Sequence, residues 1–223
     1  IDIDASEIHK NKQAHIGIVS DLRYALQELN QMVADSVGPG NWKEWLAQVD
    51  EWRATESIRF DDRDDCILWQ DAIQELSNQT RGEDIVVAVG VGQHQMWTAQ
   101  HYKFMYPRTF MSSSGLGSMG FGLPAAMGAQ AAFPGKTVVD IDGDGSFLMN
   151  VQELATIVCE KLPVKIFIIN NQHLGMVVQW EDRFFSGIRA HTYLGPIDRP
   201  EAIGEGDVEI SPPYPDFVKI AEG

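Results

Sequence analysis

Two short polar segments carry the residue types most suited to metal and phosphate chemistry. Residues 143–146 read Gly-Asp-Gly-Ser after an apolar run, and Asn170 and Asn171 follow the next apolar run along the chain. Mg²⁺ prefers hard oxygen ligands and commonly bridges a protein to a diphosphate. Asp144 offers a carboxylate oxygen and Asn171 a side-chain carbonyl oxygen, while glycines let backbone N–H groups approach phosphate oxygens. Each segment alone is typical of an ordinary turn, so the prediction of a site depends on their pairing.

The elements around these segments predict that they meet. Apolar runs at residues 85–89, 137–141 and 164–169 lack polar alternation, which is typical of strands buried on both faces of a parallel sheet. The expected fold class is therefore α/β, with helices covering both faces of the sheet. A right-handed crossover brings two strand ends to the same crevice, where ligands bind in such sheets.

Helices are predicted at residues 67–76, 115–133 and 151–161 from apolar spacing, the second with a glycine-rich entry. Asn150, with Glu153 three places later, matches a capping box at the start of the last helix.

The first sixty residues follow a different pattern. Residues 1–4 and 16–19 predict two short strands, and Asp21 is expected to cap a helix from Leu22 to about Val33. A Gly-Pro-Gly breaker at 38–40 precedes a tryptophan-rich helix, whose stripe is more typical of a packing face than of a ligand cage. We therefore divide the chain into residues 1–60, the end of one α/β domain with a linker helix, and residues 61–223, a second α/β domain.

Composition excludes several classes of partner. The chain has 223 residues and a net charge of −15, which argues against nucleic acid and anionic lipid. No apolar run reaches the ~18 residues of a membrane span. Cys66 and Cys159 are expected to be buried free thiols, and the acidic segment 61–65 to be a solvated turn because it lacks the glycine of a calcium loop. Both chain ends, including an apolar helix at 217–223, read as breaks within a longer protein.

Three longer segments resemble those of acetolactate synthases (acetohydroxyacid synthases). They are residues 91–97, 113–124 and 170–180, and the resemblance covers most of residues 82–195. The Gly-Asp-Gly and Asn-Asn segments match thiamine diphosphate enzymes in general. The segments Gly-Gln-His-Gln-Met-Trp and Leu-Gly-Met-Val-Val-Gln-Trp are more specific to the acetolactate synthases.

The resemblance implies where the cofactor lies. Gln93 and His94 would lie beside the diphosphate, and Met119 would hold the V-shaped bend of the cofactor, although a Met alone is more typical of core. The Mg²⁺ ligands would be Asp144, Asn171 and the backbone carbonyl of His173. The residues expected at thiamine diphosphate are Gln93, His94, Gly117, Ser118, Met119, Asp144, Gly145, Ser146, Asn171, His173, Gly175 and Met176.

Two further sites are implied by the same resemblance. Met176, Val177 and Trp180 would fall on one edge of a helix, which by itself is more typical of packing. In acetolactate synthases the matching positions line the substrate channel, and Arg183 and Phe184 continue that wall. The middle domain of the family binds a structural FAD, and the FAD contacts expected in this chain are Ile1, Asp2, Ser20 and Asp21.

The activity implied is the decarboxylation of pyruvate and its carboligation to pyruvate or 2-oxobutyrate, the first common step of branched-chain amino-acid biosynthesis. In the family, the glutamate that activates the cofactor lies in the amino-terminal domain of the neighbouring subunit. No catalytic residue is therefore assigned here, and this chain alone is expected to be inactive. The alternatives left open are another thiamine diphosphate enzyme (a 2-oxo acid decarboxylase, glyoxylate carboligase or pyruvate oxidase) and a non-catalytic cofactor-binding module.

The expected assembly is a homodimer or homotetramer with shared active sites and a small regulatory subunit, without nucleic acid or membrane partners. The expected location is the cytoplasm of a bacterium, with a plastid left open.

Overall fold

The computed structural model describes residues 1–36, 40, 42–55, 58, 60, 63–195 and 215–223. The chain divides into two compact units, Ile1–Arg59 and Phe60–Gly223.

The first unit contains α1 (Leu22–Ser36) and α2 (Lys43–Thr55). Asp21 caps α1 as predicted, because its Oδ1 accepts a hydrogen bond from the Tyr24 N–H at 3.1 Å. The two predicted strands are wrong: they reduce to one parallel bridge between Asp2 and Val19. The physical reason is local, since the Asp4 carboxylate accepts hydrogen bonds from the Ser6 N–H and hydroxyl and turns the chain into a short 3₁₀ helix.

The tryptophan stripe of α2 differs from its prediction. Trp45 and Trp52 contact each other edge to face, with ring centroids 5.5 Å apart, but both remain about half exposed. The expected packing face is therefore not buried within this unit. Most of the predicted breaker at 38–40 lies outside the described residues, as do residues 61 and 62 of the acidic segment; residues 63–65 are exposed, as predicted.

The second unit is an α/β layer structure, which confirms the predicted fold class. In the described part of this unit, four parallel strands lie in the order β2-β1-β3-β4. The elements in chain order are α3 (Trp69–Gln79), β1 (Val86–Val89), α4 (Gln93–His101), β2 (Phe110–Ser112), α5 (Gly122–Ala132), β3 (Val138–Gly143), α6 (Asp144–Leu148), α7 (Glu153–Cys159), β4 (Lys165–Ile169), α8 (Gly175–Phe184) and α9 (Phe217–Glu222).

The core explains why β1 is apolar at every position. Val87 and Val89 face one layer, where they pack with Ile73 of α3. Val86 and Ala88 face the opposite layer, where they pack against α5. Burying each valine contributes roughly 1.5–3 kcal/mol, so a strand covered on both faces gains from an apolar side chain at every residue.

Three local predictions fail for identifiable reasons. The helix expected from residue 115 begins only at Gly122, because Gly117 and Gly120 adopt left-handed φ values of 75° and 81°. The capping box is wrong: the Asn150 amide donates to the Gly120 carbonyl at 2.6 Å instead of capping α7. Cys66 and Cys159 are exposed rather than buried. The short strand β2 and the helix α4 were not predicted.

Within the described part of the chain, none of the helices is both long enough and apolar enough to cross a membrane.

Candidate cofactor site

The carboxyl ends of β3 and β4 bring the two polar segments together. Gly143 pairs in register with Ile169, so Asp144 and Asn170 are the next residues along the two strands. The Asp144 side chain is only 2% exposed. Its Oδ1 accepts from the Gly145 N–H at 2.9 Å, and its Oδ2 accepts from the Gln172 N–H at 2.7 Å. The second hydrogen bond joins the two segments directly.

The loop after β4 is held by its own asparagines. Asn170 Oδ1 accepts from the Gln172 N–H at 3.2 Å, and Asn171 Oδ1 accepts from the His173 N–H at 3.0 Å. Gln172 has a left-handed φ of 60°, which is costly for a residue with a side chain and commonly occurs at functional sites. The loop is therefore fixed in a shape that the backbone alone disfavours.

The ring of His173 is held by the loop through Nδ1, while its Nε2 is buried and has no hydrogen-bond partner among the described residues. Its Nδ1 lies 2.8 Å from the Asn171 carbonyl oxygen, so the imidazole is engaged by the loop itself. The His173 carbonyl accepts one hydrogen bond, from the Gly175 N–H at 2.9 Å. A carbonyl oxygen has two lone pairs, so one remains for a cation.

Glycines keep the space between these groups open. A Cβ on Gly175 would lie 2.8 Å from Asn171 Nδ2, and one on Gly145 would lie 2.7 Å from Leu174 Cδ2. A Cβ on Gly143 would lie 2.7 Å from His94 Nδ1. A side chain at any of these three positions, which we name the glycine cradle, would collide with a side chain that lines or adjoins the cleft.

The oxygen donors fit Mg²⁺ bound together with a diphosphate. One carboxylate, one amide oxygen and one backbone carbonyl are hard ligands of the kind Mg²⁺ prefers. Among the described residues there is no group of three or more His, Cys, Asp or Glu side chains that could hold a metal. A metal at Asp144 would therefore need the remaining oxygens from a phosphate ligand or water.

Met119 reaches this site because Gly120 is tied down. The Gly120 N–H donates to Ser146 Oγ at 2.9 Å, and its carbonyl accepts from Asn150 at 2.6 Å. With Gly120 fixed, the Met119 methyl lies 3.6 Å from where a Cβ on Gly145 would be. Ser146 thus anchors the loop that carries Met119.

A buried carboxylate also lies beside His94. The His94 Nε2 lies 3.3 Å from Asp142 Oδ1, and both side chains are almost completely buried. Two residues earlier, Asp140 is fully buried beside Asp142. Burial, reinforced by the Asp142 charge, raises the pKa of Asp140 well above its usual value. Burial inside the sheet therefore favours the protonated form of Asp140.

One cleft gathers most of the predicted residues. Those that line it are Gln93, His94, Met119, Asp144, Gly145, Ser146, Asn171, His173, Gly175, Met176 and Val177. Gly117 and Ser118 lie in an exposed loop outside the cleft lining, and Trp180 lies further along α8, 53% exposed. The four predicted FAD residues belong to the other unit.

Six lining residues were not assigned from the sequence. They are Val91, Gly92, Trp97, Gly143, Ile169 and Leu174. Most belong to the segments that carry the resemblance, so their position in those segments was the available signal.

This site and fold define a class of protein. Residues 90–223 match the family described as "Thiamine pyrophosphate enzyme, C-terminal TPP binding domain". The chain therefore belongs to the thiamine pyrophosphate enzyme family, and this part of it is the domain that binds thiamine diphosphate (thiamine pyrophosphate, TPP).

Individual relatives narrow the resemblance. The chain is 53% identical over 225 residues to "Acetolactate synthase 1, chloroplastic" of Zea mays and to the protein of that name in Oryza sativa subsp. japonica. It is 51% identical over 224 residues to the same-named protein of Nicotiana tabacum. Each comparison covers 100% of this chain but only 32–34% of the relative, so the chain spans about a third of their length. The resemblance to acetolactate synthases is confirmed.

The expected bacterial cytoplasmic location is wrong. The relatives from Zea mays, Oryza sativa and Nicotiana tabacum are all named as chloroplastic proteins. The sequence features used for that expectation, an acidic composition above all, do not distinguish a plastid from a bacterial cytoplasm.

Proposed function

We propose that this chain is the part of an acetolactate synthase that holds thiamine diphosphate through Mg²⁺. The observation that carries the proposal is the hydrogen bond from the Gln172 N–H to Asp144 Oδ2, which ties the Gly-Asp-Gly turn to the Asn-Asn loop. The glycine cradle and the hard oxygen donors beside it fit a metal-bound diphosphate. When bound, thiamine diphosphate supplies the carbanion chemistry by which pyruvate loses CO₂ and joins a second 2-oxo acid.

The proposed Mg²⁺ ligands are Asp144, Asn171 and the His173 carbonyl. A single carboxylate leaves the metal with net positive charge, which offsets the charge of a diphosphate. His94 lines the same cleft, and its Nε2 lies 3.3 Å from Asp142 Oδ1. The proposed role of Gln93 and His94 is to hold the diphosphate end in place.

The apolar part of the cleft has a separate role. Met119 and Leu174 both lie beside Gly145, so they place apolar groups next to the glycine cradle. We assign Met119 the role of supporting the bend of the cofactor. Leu174 helps to exclude water, which strengthens the electrostatic contacts at the metal.

The proposed substrates are pyruvate and, as second acceptor, pyruvate or 2-oxobutyrate. Met176 and Val177 line the cleft, and Trp180 stacks on Phe184 one turn further along α8, with ring centroids 5.0 Å apart. This exposed edge of α8 continues outward from the cofactor cleft, which supports its assignment as one wall of the substrate channel. Arg183 extends the same wall.

The first unit is proposed to be the end of an FAD-binding domain, with the boundary near residue 60. The bridge between Asp2 and Val19 and the hydrogen bond from the Ser20 N–H to the Asp2 carbonyl, at 3.0 Å, bring the proposed contacts Ile1, Asp2, Ser20 and Asp21 together. The FAD would be structural.

The proposed whole enzyme is a homodimer or homotetramer located in a plastid, with a small regulatory subunit. It would catalyse the first common step of branched-chain amino-acid biosynthesis. We assign no catalytic residue in this chain, because the activating glutamate of the family would be supplied by the neighbouring subunit.

The activity is tested on the complete protein by identifying the products formed from pyruvate with thiamine diphosphate, Mg²⁺ and FAD. We expect acetolactate, and Asn171→Ala should abolish its Mg²⁺-dependent formation. Acetaldehyde as the main product would indicate a decarboxylase, and acetyl phosphate with peroxide would indicate a pyruvate oxidase. Undiminished activity of Asn171→Ala would contradict the metal site.

A further inference from the structure

Glu181 of α8 is a buried carboxylate that the proposed cofactor site does not use. Its side chain is 6% exposed, whereas the neighbouring Trp180 and Asp182 are exposed. The Glu181 Oε1 accepts from the Ala190 N–H at 2.9 Å, and its Oε2 accepts from the Thr192 hydroxyl at 3.3 Å. A charged group buried on a surface helix is costly unless such partners compensate for lost water.

These partners belong to a segment that turns back after α8, which we name the return segment and define as residues 190–194. The turn is tight, because Ser186 and Gly187 adopt left-handed φ values of 54° and 73°. The Gly187 N–H donates to the Glu181 carbonyl at 3.0 Å. Glu181 therefore holds the turn through its backbone and the return segment through its side chain.

The return segment contacts the loop that carries the proposed metal ligands. The Leu174 N–H donates to the Thr192 carbonyl at 2.8 Å, and the Leu194 N–H donates to the Gln172 carbonyl at 2.8 Å. Between these bonds His173 forms an antiparallel bridge with Tyr193, and their ring centroids lie 5.1 Å apart. The residues on both sides of the His173 carbonyl are thus paired to the return segment.

The return segment also reaches the glycine cradle. The Leu194 Cδ1 lies 3.2 Å from where a Cβ on Gly145 would be, beside Leu174. The return segment therefore connects the Glu181 carboxylate to the loop with the proposed metal ligands and to the glycine cradle.

We propose that Glu181 is a positioning residue for the metal site, acting through the return segment on the His173 carbonyl and Asn171. The proposal builds on the Mg²⁺ and diphosphate site proposed above. Without the carboxylate, the Ala190 N–H and the Thr192 hydroxyl lose a buried acceptor, which disfavours the packed return segment. The loop at 172–174 then loses its two backbone hydrogen bonds to the return segment, and the proposed metal ligands are no longer held in one arrangement.

The test compares Glu181→Ala and Glu181→Gln in the complete protein with Asp182→Asn as the matched control. Asp182 is the exposed neighbour, and Arg189 Nη1 lies 2.7 Å from its Oδ1 and 3.7 Å from Glu181 Oε2. The control therefore changes the partner of the shared arginine but keeps the hydrogen bonds from Ala190 and Thr192 to Glu181. The first readout is the Mn²⁺ dissociation constant in the presence of thiamine diphosphate, measured by electron paramagnetic resonance. The second is hydrogen exchange of peptides covering residues 170–175 and 186–195 without cofactor.

We expect Glu181→Ala to weaken Mn²⁺ binding about 10- to 100-fold, as outer partners of metal ligands commonly do, and to speed exchange in both peptides. Glu181→Gln keeps one acceptor oxygen and should fall between Glu181→Ala and the unsubstituted protein. Asp182→Asn should match the unsubstituted protein. If Glu181→Ala does not fold, Glu181→Gln carries the same comparison.

Unchanged Mn²⁺ affinity in both Glu181 variants would overturn the positioning role, even if exchange near residue 190 increased. Faster exchange confined to residues 186–195, with residues 170–175 unaffected, would overturn it as well. Failure of the underlying site would look different, because the unsubstituted protein would then bind no Mn²⁺ with thiamine diphosphate.

Discussion

Asp140 and Asp144 lie on the same stretch of chain, yet their surroundings give them opposite properties. Asp144 follows the end of β3, and backbone N–H groups from both polar segments donate to its two oxygens. Asp140 lies within β3, where neither of its oxygens accepts a hydrogen bond from the described residues. Both side chains are buried. Burial alone therefore does not mark the proposed metal ligand; the N–H groups that converge on Asp144 at the strand end distinguish it from Asp140.

The comparison is tested most severely by removing the carboxylate at the strand end. Asp144→Ala should lower the affinity for Mg²⁺ at least ~100-fold, because losing a direct ligand costs more than losing an outer partner. Mg²⁺ activation curves of acetolactate formation by the complete protein measure this. Asn171→Ala should behave similarly, and a normal activation curve for Asp144→Ala would show that the metal is held elsewhere.

The second prediction concerns the glycine cradle beside Asp144. Gly175→Ala would place a methyl group 2.8 Å from Asn171 Nδ2, so we expect thiamine diphosphate affinity to fall roughly 10-fold or more. Gly128→Ala is the matched control, because a Cβ at Gly128 would meet nothing within 4 Å and α5 favours alanine. Titration calorimetry of both variants decides the point: equal affinities would mean that the cradle is not where the diphosphate binds.

A smaller effect is expected at Asn150, which holds the loop carrying Met119. Asn150→Ala removes the hydrogen bond to the Gly120 carbonyl, worth about 1 kcal/mol. We expect thiamine diphosphate affinity to fall about fivefold, since one of the two hydrogen bonds that hold Gly120 beside Met119 is then lost. The melting temperature of the complete protein serves as the control for general destabilisation. A loss of stability without any change in affinity would show that the loop carrying Met119 does not contribute to cofactor binding.

The smallest functional effect is expected at Asp140, the carboxyl inside the sheet. Asp140→Asn keeps the size of a side chain that does not line the cleft, so cofactor binding should not change. Stability should respond to pH. Because burial raises the pKa of Asp140 in the folded state, folding takes up a proton above about pH 4, and the folded state is destabilised by up to about 1.4 kcal/mol per pH unit until the folded pKa is reached.

Asp140→Asn removes this pH-dependent contribution to the stability of the folded state. Its melting temperature should therefore rise relative to that of the unsubstituted protein as the pH increases above about 4, the usual pKa of an aspartate. A difference in melting temperature that is the same at every pH would show that Asp140 is ionised in the folded protein.

The sequence predicted the structure best where a residue pattern depends on the local surroundings of one element. The unbroken apolar residues of β1 predicted a strand covered on both faces. The aspartate and asparagines after two such strands predicted a shared crevice, because parallel strands end at the same edge of a sheet. Both predictions needed only local patterns and the handedness of the crossover.

Several of the failures depend on parts of the chain that a local pattern does not include. Asn150 matched a capping box, but its side chain bonds to Gly120, thirty positions earlier. The exposure of Cys159 depends on which side of a short helix the sheet covers. Glu181 looked like an ordinary charged residue of a surface helix, and its burial depends on a turn that brings the return segment back. Single-sequence patterns carry no information on such long-range pairs.

The central claim, that Asp144 joins Mg²⁺ to the diphosphate, is tested most directly by calorimetric titration of thiamine diphosphate into the complete protein with and without Mg²⁺. We predict tight, Mg²⁺-dependent binding for the unsubstituted protein and for Asp140→Asn, and weak binding with no response to Mg²⁺ for Asp144→Ala. Mg²⁺-dependent binding by Asp144→Ala that equals that of the unsubstituted protein would contradict the account.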